Sequence, residues 1–340
     1  MFGLGWRRAL TDARGLLEHA HHGVPRLGEG YTTDDNARAL LYLSLLPEGA
    51  RDEGLVRTYL AFLLHMQKED GRFRNGLTLD GCFEDEGEAE DPTGRAVLAL
   101  AAAQRLPPPY AGPAREALLR ALPALEGFTS LRGRAYALLG LLALPKEPFL
   151  EAAEALGEGL LRAFREAEPA WPYPGPLTYA NHRPVEALYA YGLAFRRQEA
   201  VALARRALAF LKEHYFTPGE EGLFFDPVGN RFMARGRDKP LFDQQPIEAK
   251  CALLAHLRFG ERVLAEVAFL WFHGRNRLRA PLVDAFGPMD GLTPHGPNQN
   301  RGAEALLAYL LAWQALVQGV FPQVDEGVAL GRVFALGGRP

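Results

Sequence analysis

The sequence has few cysteines and no long apolar run. Only two cysteines, Cys82 and Cys251, occur in 340 residues, too few for a disulfide framework or a cysteine-rich zinc site. No apolar run reaches membrane-spanning length, so no membrane association is expected. The first residues lack the apolar core and small-residue cleavage site of a secretory leader. We therefore expect a cytoplasmic protein.

The chain also lacks a strong excess of charge of either sign. A net charge of −3 gives no electrostatic reason to expect a nucleic-acid or anionic-membrane partner. A neutral or polar small molecule is the expected ligand. Arginine far outnumbers lysine, and alanine, leucine and proline are plentiful, which favours a thermophilic or GC-rich source.

A motif repeats six times along the chain. In each copy, a polar loop with Asp, Asn or Gln leads into an Ala/Leu-rich helix, which opens with Arg in the first three copies and with Glu in the last three. The copies begin at Asp34, Asp91, Leu131, Asn181, Asp243 and Asn298. A period of roughly 40 to 60 residues fits a helix, a return helix and a loop. The repeating unit is therefore predicted to be a helical hairpin.

Other apolar-periodic segments alternate with these helices and predict an outer layer. Their apolar side chains recur at three and four residues, near residues 6–19, 55–67, 113–126, 148–165, 198–214 and 260–273. The repeated helices are apolar nearly all round, which is typical of a buried inner layer. The pattern predicts an all-α protein in one domain, residues 1–340. Its fold would be a closed (α/α)6 barrel of twelve helices, with long loops and a few short strands at one mouth. An open solenoid of stacked helix pairs is the alternative.

The mouth of such a barrel is the predicted functional site, because six polar loops and six helix N-termini meet there. Unpaired N–H groups and the helix dipoles favour hydroxyls and carboxylates at that end. Aromatic side chains in the loops suit the apolar face of a sugar ring, although anchoring a loop is the competing role for each of them. The expected substrate-binding residues are Asp34, Arg38, Arg95, Trp171, Tyr179, His182, Gln244, Gln245, His295 and Asn300.

Three aspartates are the candidates for acid–base chemistry: Asp35, Asp91 and Asp243. Asp35 and Asp91 precede the inner helices of adjacent hairpins, so they are expected to face each other across the mouth. Clustered carboxylates raise one another's pKa, which can create a general acid beside a general base. Helix capping is the competing role for both aspartates.

Two further sets of residues receive a structural interpretation. A glutamate at the third residue of a helix can bind the N–H of the capping residue, and this role is predicted for Glu186, Glu248 and Glu304. Three histidines crowd one segment near Asp12 without the ligand spacing of a standard metal site: His19, His21 and His22. No metal and no other cofactor is predicted.

Four motifs are distinctive: GYTTDDNARAL at 30–40, FDQQPIEA at 242–249, WFHGRN at 271–276 and NRGAEA at 300–305. They resemble a bacterial family of uncharacterised proteins that look like members of the six-hairpin glycosidase superfamily. The resemblance spans nearly the whole chain. Proteins of that family are often fused to, or encoded beside, glycosyltransferases and mannoside-processing enzymes. The resemblance therefore implies a sugar ligand and a glycosyltransferase partner.

One segment departs from the pattern of that family. Where a segment such as Thr-Tyr-Asp-Asn-Ala-Arg is expected, residues 178–183 read TYANHR, with Ala180 in the place of the aspartate. If that aspartate is catalytic in the family, this chain is altered or inactive. The sequence therefore leaves open whether the protein is an enzyme.

The leading hypothesis is a glycoside hydrolase, inverting by default, that acts on an oligosaccharide, with a mannoside as the first candidate. Asp35 and Asp91 would be the acid/base pair, about 6.5–9.5 Å apart, and Asp243 would orient water or a hydroxyl. A sugar epimerase or isomerase is an alternative that requires His182 and His295 to face each other. A non-catalytic sugar-binding or scaffold module that serves a glycosyltransferase is the other alternative.

Overall fold

The computed structural model describes residues 9–84, 90–144 and 146–320, and eleven α-helices lie in these ranges. The inner helices are α1 (Thr33–Ser44), α3 (Glu90–Ala102), α5 (Leu131–Leu141), α7 (His182–Ala194), α9 (Pro246–Arg258) and α11 (Ala303–Gln318). The outer helices are α2 (Glu53–Met66), α4 (Pro108–Leu125), α6 (Phe149–Glu166), α8 (Gln198–Tyr215) and α10 (Arg262–Leu270). None of these helices is both long enough and apolar enough to cross a membrane.

The six inner helices form a closed ring. Each one contacts the next in chain order, and α11 returns to contact α1. The inner helices are buried nearly all round because they have neighbours on every side; in α3, every residue except Asp91 is buried. The predicted closed (α/α)6 barrel is confirmed, and the open solenoid is wrong.

Two glycines allow α3 and α5 to approach each other closely. A Cβ atom added to Gly94 would lie 2.4 Å from the carbonyl oxygen of Gly133, which is too close for any side chain. Gly94→Ala is therefore expected to lower the free energy of unfolding by about 1–3 kcal/mol, as overpacking does in other cores. Urea unfolding would measure this cost. Gly28→Ala is the control, because nothing lies within 4 Å of the added Cβ atom there. A loss at Gly94 no larger than that at Gly28 would contradict the explanation.

Short antiparallel strands decorate the loops, as predicted. The two-stranded pairs are β1 (Ala20–His21) with β2 (Val24–Pro25), β6 (Phe216–Gly219) with β7 (Gly222–Phe225), β8 (Val283–Asp284) with β9 (Gly287–Pro288), and β10 (Leu292–Thr293) with β11 (Gly296–Pro297). One sheet has three strands in the order β3 (Tyr31–Thr32), β4 (Gly76–Leu77) and β5 (Phe83–Glu84). In this sheet Tyr31 lies opposite Leu77, which fixes the loop after α2 against the start of α1.

The helix predicted near residues 6–19 is wrong beyond residue 9, which is helical. Residues 10–19 form turns and isolated bridges, and residues 1–8 lie outside the described ranges. Asp12 Oδ1 accepts hydrogen bonds from the N–H groups of Arg14 and Gly15, a local turn that competes with helix formation. The apolar residues of this segment, Leu10, Leu16 and Leu17, are buried in the core without a helix.

Candidate functional site

A cavity of about 250 Å³ opens at the mouth of the barrel, between the starts of α1, α9 and α11. Five carboxylate side chains line it: Glu18, Asp34, Asp35, Asp290 and Glu304. The other polar or charged side chains of the lining are those of His19, Thr32, Arg38, Asn75 and Gln245. Carboxylates therefore outnumber the cationic side chains in this cavity.

At the start of α1, the buried side chain of Asp35 lines the cavity, and its Oδ2 atom accepts a hydrogen bond from Thr32 Oγ1 at 3.1 Å. Thr32 is the N-cap, and its Oγ1 atom accepts a hydrogen bond from the N–H of Asp35 at 3.2 Å. The capping role that competed with chemistry at Asp35 is thus taken by a threonine.

Glu18 is placed in the cavity wall by hydrogen bonds on both sides of it. The amide side chain of Asn36 bonds to the backbone N–H and C=O of Leu16. The backbone N–H of Glu18 donates to the carbonyl of Gly30, and its carbonyl accepts from the N–H of Ala303. These bonds tie the irregular segment before β1 to the starts of α1 and α11.

Two buried arginines hold the carboxylates of the cavity. Arg38 Nη1 donates to Asp35 Oδ1, and Arg38 Nη2 donates to Glu304 Oε2 at 2.8 Å. Arg95, from α3, donates to Asp34 Oδ2. The pairing fixes the positions of three carboxylates that come from α1 and α11.

Burial shifts the acid–base behaviour of the cavity carboxyl groups. The pKa of Glu18 is raised to about 7, first by burial and then by the negative charge of Asp35. Burial also raises the pKa of Asp35, against the opposing charge of Arg38, and that of Asp290. At neutral pH the Glu18 carboxyl group is therefore still protonated in a large fraction of the molecules. It shares the cavity with Glu304, which forms an ion pair with Arg38.

Asp91 does not line this cavity. Its Oδ1 atom accepts a hydrogen bond from Ser130 Oγ at 2.6 Å. Its Oδ2 atom accepts from Arg132 Nε at 2.7 Å and from the Tyr179 hydroxyl at 2.9 Å. The guanidinium of Arg132 also lies 4.0 Å from the centre of the Tyr179 ring. The predicted partner of Asp35 and the predicted sugar-binding Tyr179 thus form a separate cluster with the start of α5.

Of the other predicted site residues, Asp34, Arg38 and Gln245 line the cavity, and Arg95 reaches it through Asp34. The remaining ones lie elsewhere. Asp243 and His295 are exposed outside the cavity. Gln244 is buried and forms hydrogen bonds with Asp226 and Trp271. Asn300 forms a hydrogen bond with His21. Trp171 lines a separate surface depression, where its Nε1 atom donates to the carbonyl of Gly175.

His182 is a core residue. Its ring is fully buried, packs on the ring of Tyr215 with centroids 4.8 Å apart, and has no hydrogen-bond partner at either nitrogen. Burial holds the pKa of His182 far below its usual value. His182 is enclosed whereas His295 is exposed, so the structure does not form the facing pair of histidines that the epimerase hypothesis requires.

The capping role predicted for three glutamates is wrong. Each carboxylate binds another group: Glu186 bonds to Arg183 of its own helix and to Arg258 of α9, Glu248 accepts from the N–H of Ala180, and Glu304 binds Arg38 of α1. The partners other than Arg183 come from the neighbouring helices and loops that pack against these helix N-termini. Ala180 has a positive φ of 53° and packs against Ile247 and Cys251.

Sequence reasoning missed Glu18 and Asp290 as site residues. Glu18 lies in a segment whose apolar spacing imitates a helix, and Asp290 lies in the long loop after α10. Neither is part of the repeated motif, so no signal in the sequence marked them. Among the described residues, no group of three His, Cys, Asp or Glu side chains is arranged to hold a metal ion.

Comparison with known proteins supports the architecture. Neither a protein-family model nor a curated protein sequence matches the chain. Among solved structures, it is similar to a D-mannose isomerase, with a TM-score of 0.66 and 10% identity over 92% of this chain and 94% of that one. A cellobiose 2-epimerase from Spirochaeta thermophila gives 0.65 and 15% identity over 93% and 92% of the chains. A family 76 α-mannanase from Bacteroides thetaiotaomicron gives 0.60 and 10% identity over 98% and 95%. The chain therefore shares the closed (α/α)6 fold of these proteins; at these identities the likeness establishes the fold alone.

Proposed function

We propose that the protein is a carbohydrate-active enzyme that hydrolyses a glycosidic bond in an oligosaccharide, with a mannoside as the first candidate. One observation carries the proposal: Glu18 and Asp35, two carboxyl groups whose pKa values are raised, line the same cavity at the barrel mouth. Two carboxyl groups on either side of a scissile bond are what most glycosidases use. The likeness to a family 76 α-mannanase supports the choice of mannosides.

Glu18 is assigned as the general acid. Its side chain is 33% exposed in the cavity wall, and its pKa of about 7 leaves a proton available at neutral pH. It would protonate the glycosidic oxygen as the bond to the anomeric carbon breaks.

Asp35 is assigned as the general base; the sequence predicted it as one member of an acid/base pair without choosing its role. It lines the cavity, where burial raises its pKa and the charge of Arg38 opposes that rise. It would remove a proton from the water that attacks the anomeric carbon. Glu304, Asn75 and Gln245 are the groups available for sugar hydroxyls. Asp91 does not line the cavity, so it is left out of this assignment.

A sugar epimerase or isomerase is the second candidate, because a mannose isomerase and a cellobiose 2-epimerase share the fold. Such an enzyme needs a base on each face of one carbon atom. His19 is the one histidine in the cavity lining that the structure describes, and it stands among five carboxylates. This composition favours hydrolysis over epimerisation.

The experiment is to incubate the pure protein with α- and β-linked manno- and gluco-oligosaccharides and to follow the products by NMR. Cleavage by the wild type that is lost in Glu18→Gln and Asp35→Asn, but kept in the exposed control Asp70→Asn, would support the proposal. The first-formed anomer would report inversion or retention. Isomerised sugar without cleavage would establish the epimerase instead. Binding without turnover would point to a non-catalytic module that serves a glycosyltransferase.

A further inference from the structure

A depression of about 520 Å³ lies in the surface beside the loop that joins α6 to α7. Its lining comes from the end of α6, from that loop and from the loop between β7 and α9. Among the described residues, the linings of this depression and of the cavity have no member in common. The proposed reaction therefore gives the depression no role.

Trp171 is fixed in the wall of the depression. Its Nε1–H group donates to the carbonyl oxygen of Gly175 at 2.8 Å. Its ring packs on those of Phe210 and His214 from α8, with ring centroids 4.8 and 6.0 Å apart. These contacts already anchor the loop, yet Trp171 is only half-buried and lines the depression. The indole ring therefore offers a preformed apolar surface there.

The two loops that form the depression are tied to each other. Leu177 and Met233 exchange two backbone hydrogen bonds, of 2.8 and 2.9 Å, which join the loop after α6 to the loop after β7. The ring of Tyr173, another lining residue, packs edge-on against Phe164 of α6 with centroids 5.8 Å apart. A site that is already held in shape loses less conformational freedom when a ligand binds.

The polar part of the lining carries both signs of charge. Glu168 and Arg235 form an exposed ion pair with each other, and Glu166 is the third charged residue of the lining. Donors and acceptors of hydrogen bonds thus accompany the apolar surface of Trp171. A neutral sugar ring matches this composition, because its C–H groups form an apolar face and its hydroxyl groups both donate and accept. A strongly charged ligand would meet charges of its own sign.

We propose that the depression binds one ring of a neutral oligosaccharide against Trp171, as a second sugar-binding site apart from the cavity. Its volume of about 520 Å³ falls in the usual range of small-molecule sites, about 300–1,000 Å³. Both loops lead into inner helices, α7 and α9, so the site belongs to the mouth side of the barrel. Binding there requires no reaction at the cavity, so a non-catalytic sugar-binding protein would show it as well.

The direct test follows the indole N–H signals of the wild-type protein by NMR during titration with mannotriose and with cellotriose. The sequence has four tryptophans, and Trp171→Phe identifies the signal of Trp171. A saturable shift of that signal with at least one of the two sugars is the expected result. An unchanged Trp171 signal with both sugars would overturn the proposal.

Two substitutions separate the depression from the cavity. Ala163→Gln puts a longer side chain into the lining, on α6, and should weaken the binding seen at the Trp171 signal by about fivefold or more, the effect of losing one aromatic contact. Ala61→Gln, at an exposed alanine of α2, is the control and should leave the binding unchanged. Asp35→Asn alters the cavity, and the Trp171 signal should still shift.

Loss of the Trp171 shift in Asp35→Asn would show that this signal reports on the cavity, and the second site would be overturned. Equal binding by Ala163→Gln and Ala61→Gln would also contradict it. A Trp171 shift without any cleavage would uphold the second site while the proposed hydrolysis fails. If Ala163→Gln does not fold, the titrations of the wild type and of Asp35→Asn decide.

Discussion

Glu18→Gln is expected to lower kcat/KM on a cleavable oligosaccharide by about 10²–10⁴-fold, the usual contribution of a general acid. Glutamine keeps the size of the side chain but has no acidic proton to give to the leaving oxygen. In the wild type, activity should fall as the pH rises through about 7, where Glu18 loses its proton. The variant should lack this fall. The measurement is the pH dependence of kcat/KM for both proteins.

The leaving group provides a sharper control for the role of Glu18. An aryl glycoside with a strongly acidic phenol leaves without protonation, so Glu18→Gln should lose much less activity on it than on a sugar leaving group. A loss of equal size on both substrates would show that Glu18 positions the substrate and does not donate the proton. Asp70→Asn, at an exposed aspartate, should change neither rate.

Glu18→Gln should also make the folded protein more stable. The pKa of Glu18 is higher in the folded protein than its ordinary value of 4.5. Its ionisation therefore opposes folding as the pH rises from about 4.5 to about 7. Glu18→Gln removes this ionisation, so the variant should melt above the wild type at pH 8, and by less at pH 4. Loss of activity with a gain in stability is the behaviour expected of a functional site.

Glu186→Gln is expected to cost about 3–5 kcal/mol of stability, as the breaking of a buried ion pair does. Glu186 is 1% exposed and lies between two arginines, with its oxygens 2.5 Å from Arg183 Nη1 and 3.0 Å from Arg258 Nε. The substitution removes the buried negative charge that both guanidinium groups bind. Urea unfolding at pH 7 would measure the loss.

The contribution of Glu186 to stability changes with pH in the opposite direction to that of Glu18. Burial alone would raise the pKa of Glu186, but the charges of Arg183 and Arg258 outweigh burial and hold it below its ordinary value. Its stabilisation is complete above the unfolded pKa of about 4.5 and is lost as the pH falls through the lower folded value. The matched control is Glu199→Gln, which breaks an exposed pair with Arg165 and should cost far less. Equal losses in the two variants would contradict a role for burial.

The sequence by itself determined the architecture of this protein. Six copies of one motif and helices that are apolar nearly all round predict a repeated arrangement in which the inner helices are buried. The same repeat predicted polar loops at one mouth, and Asp34, Asp35, Arg38 and Gln245 from these loops and helix starts line the cavity. These inferences succeed because hydrophobic periodicity and repetition are local properties of the chain.

Only the tertiary structure decided which charged groups share a cavity. Arg38 and Glu304 are 266 residues apart in the chain and form one ion pair, and Glu18 reaches the same cavity from a segment that imitates a helix. Asp91 and His182 lie in the first turns of two inner helices, yet Asp91 is bonded to residues at the start of α5 and His182 is buried in the core. The environment of each mouth residue depends on loops of different length and sequence, which fold against each other. For that reason a shared position in the repeat does not imply a shared role.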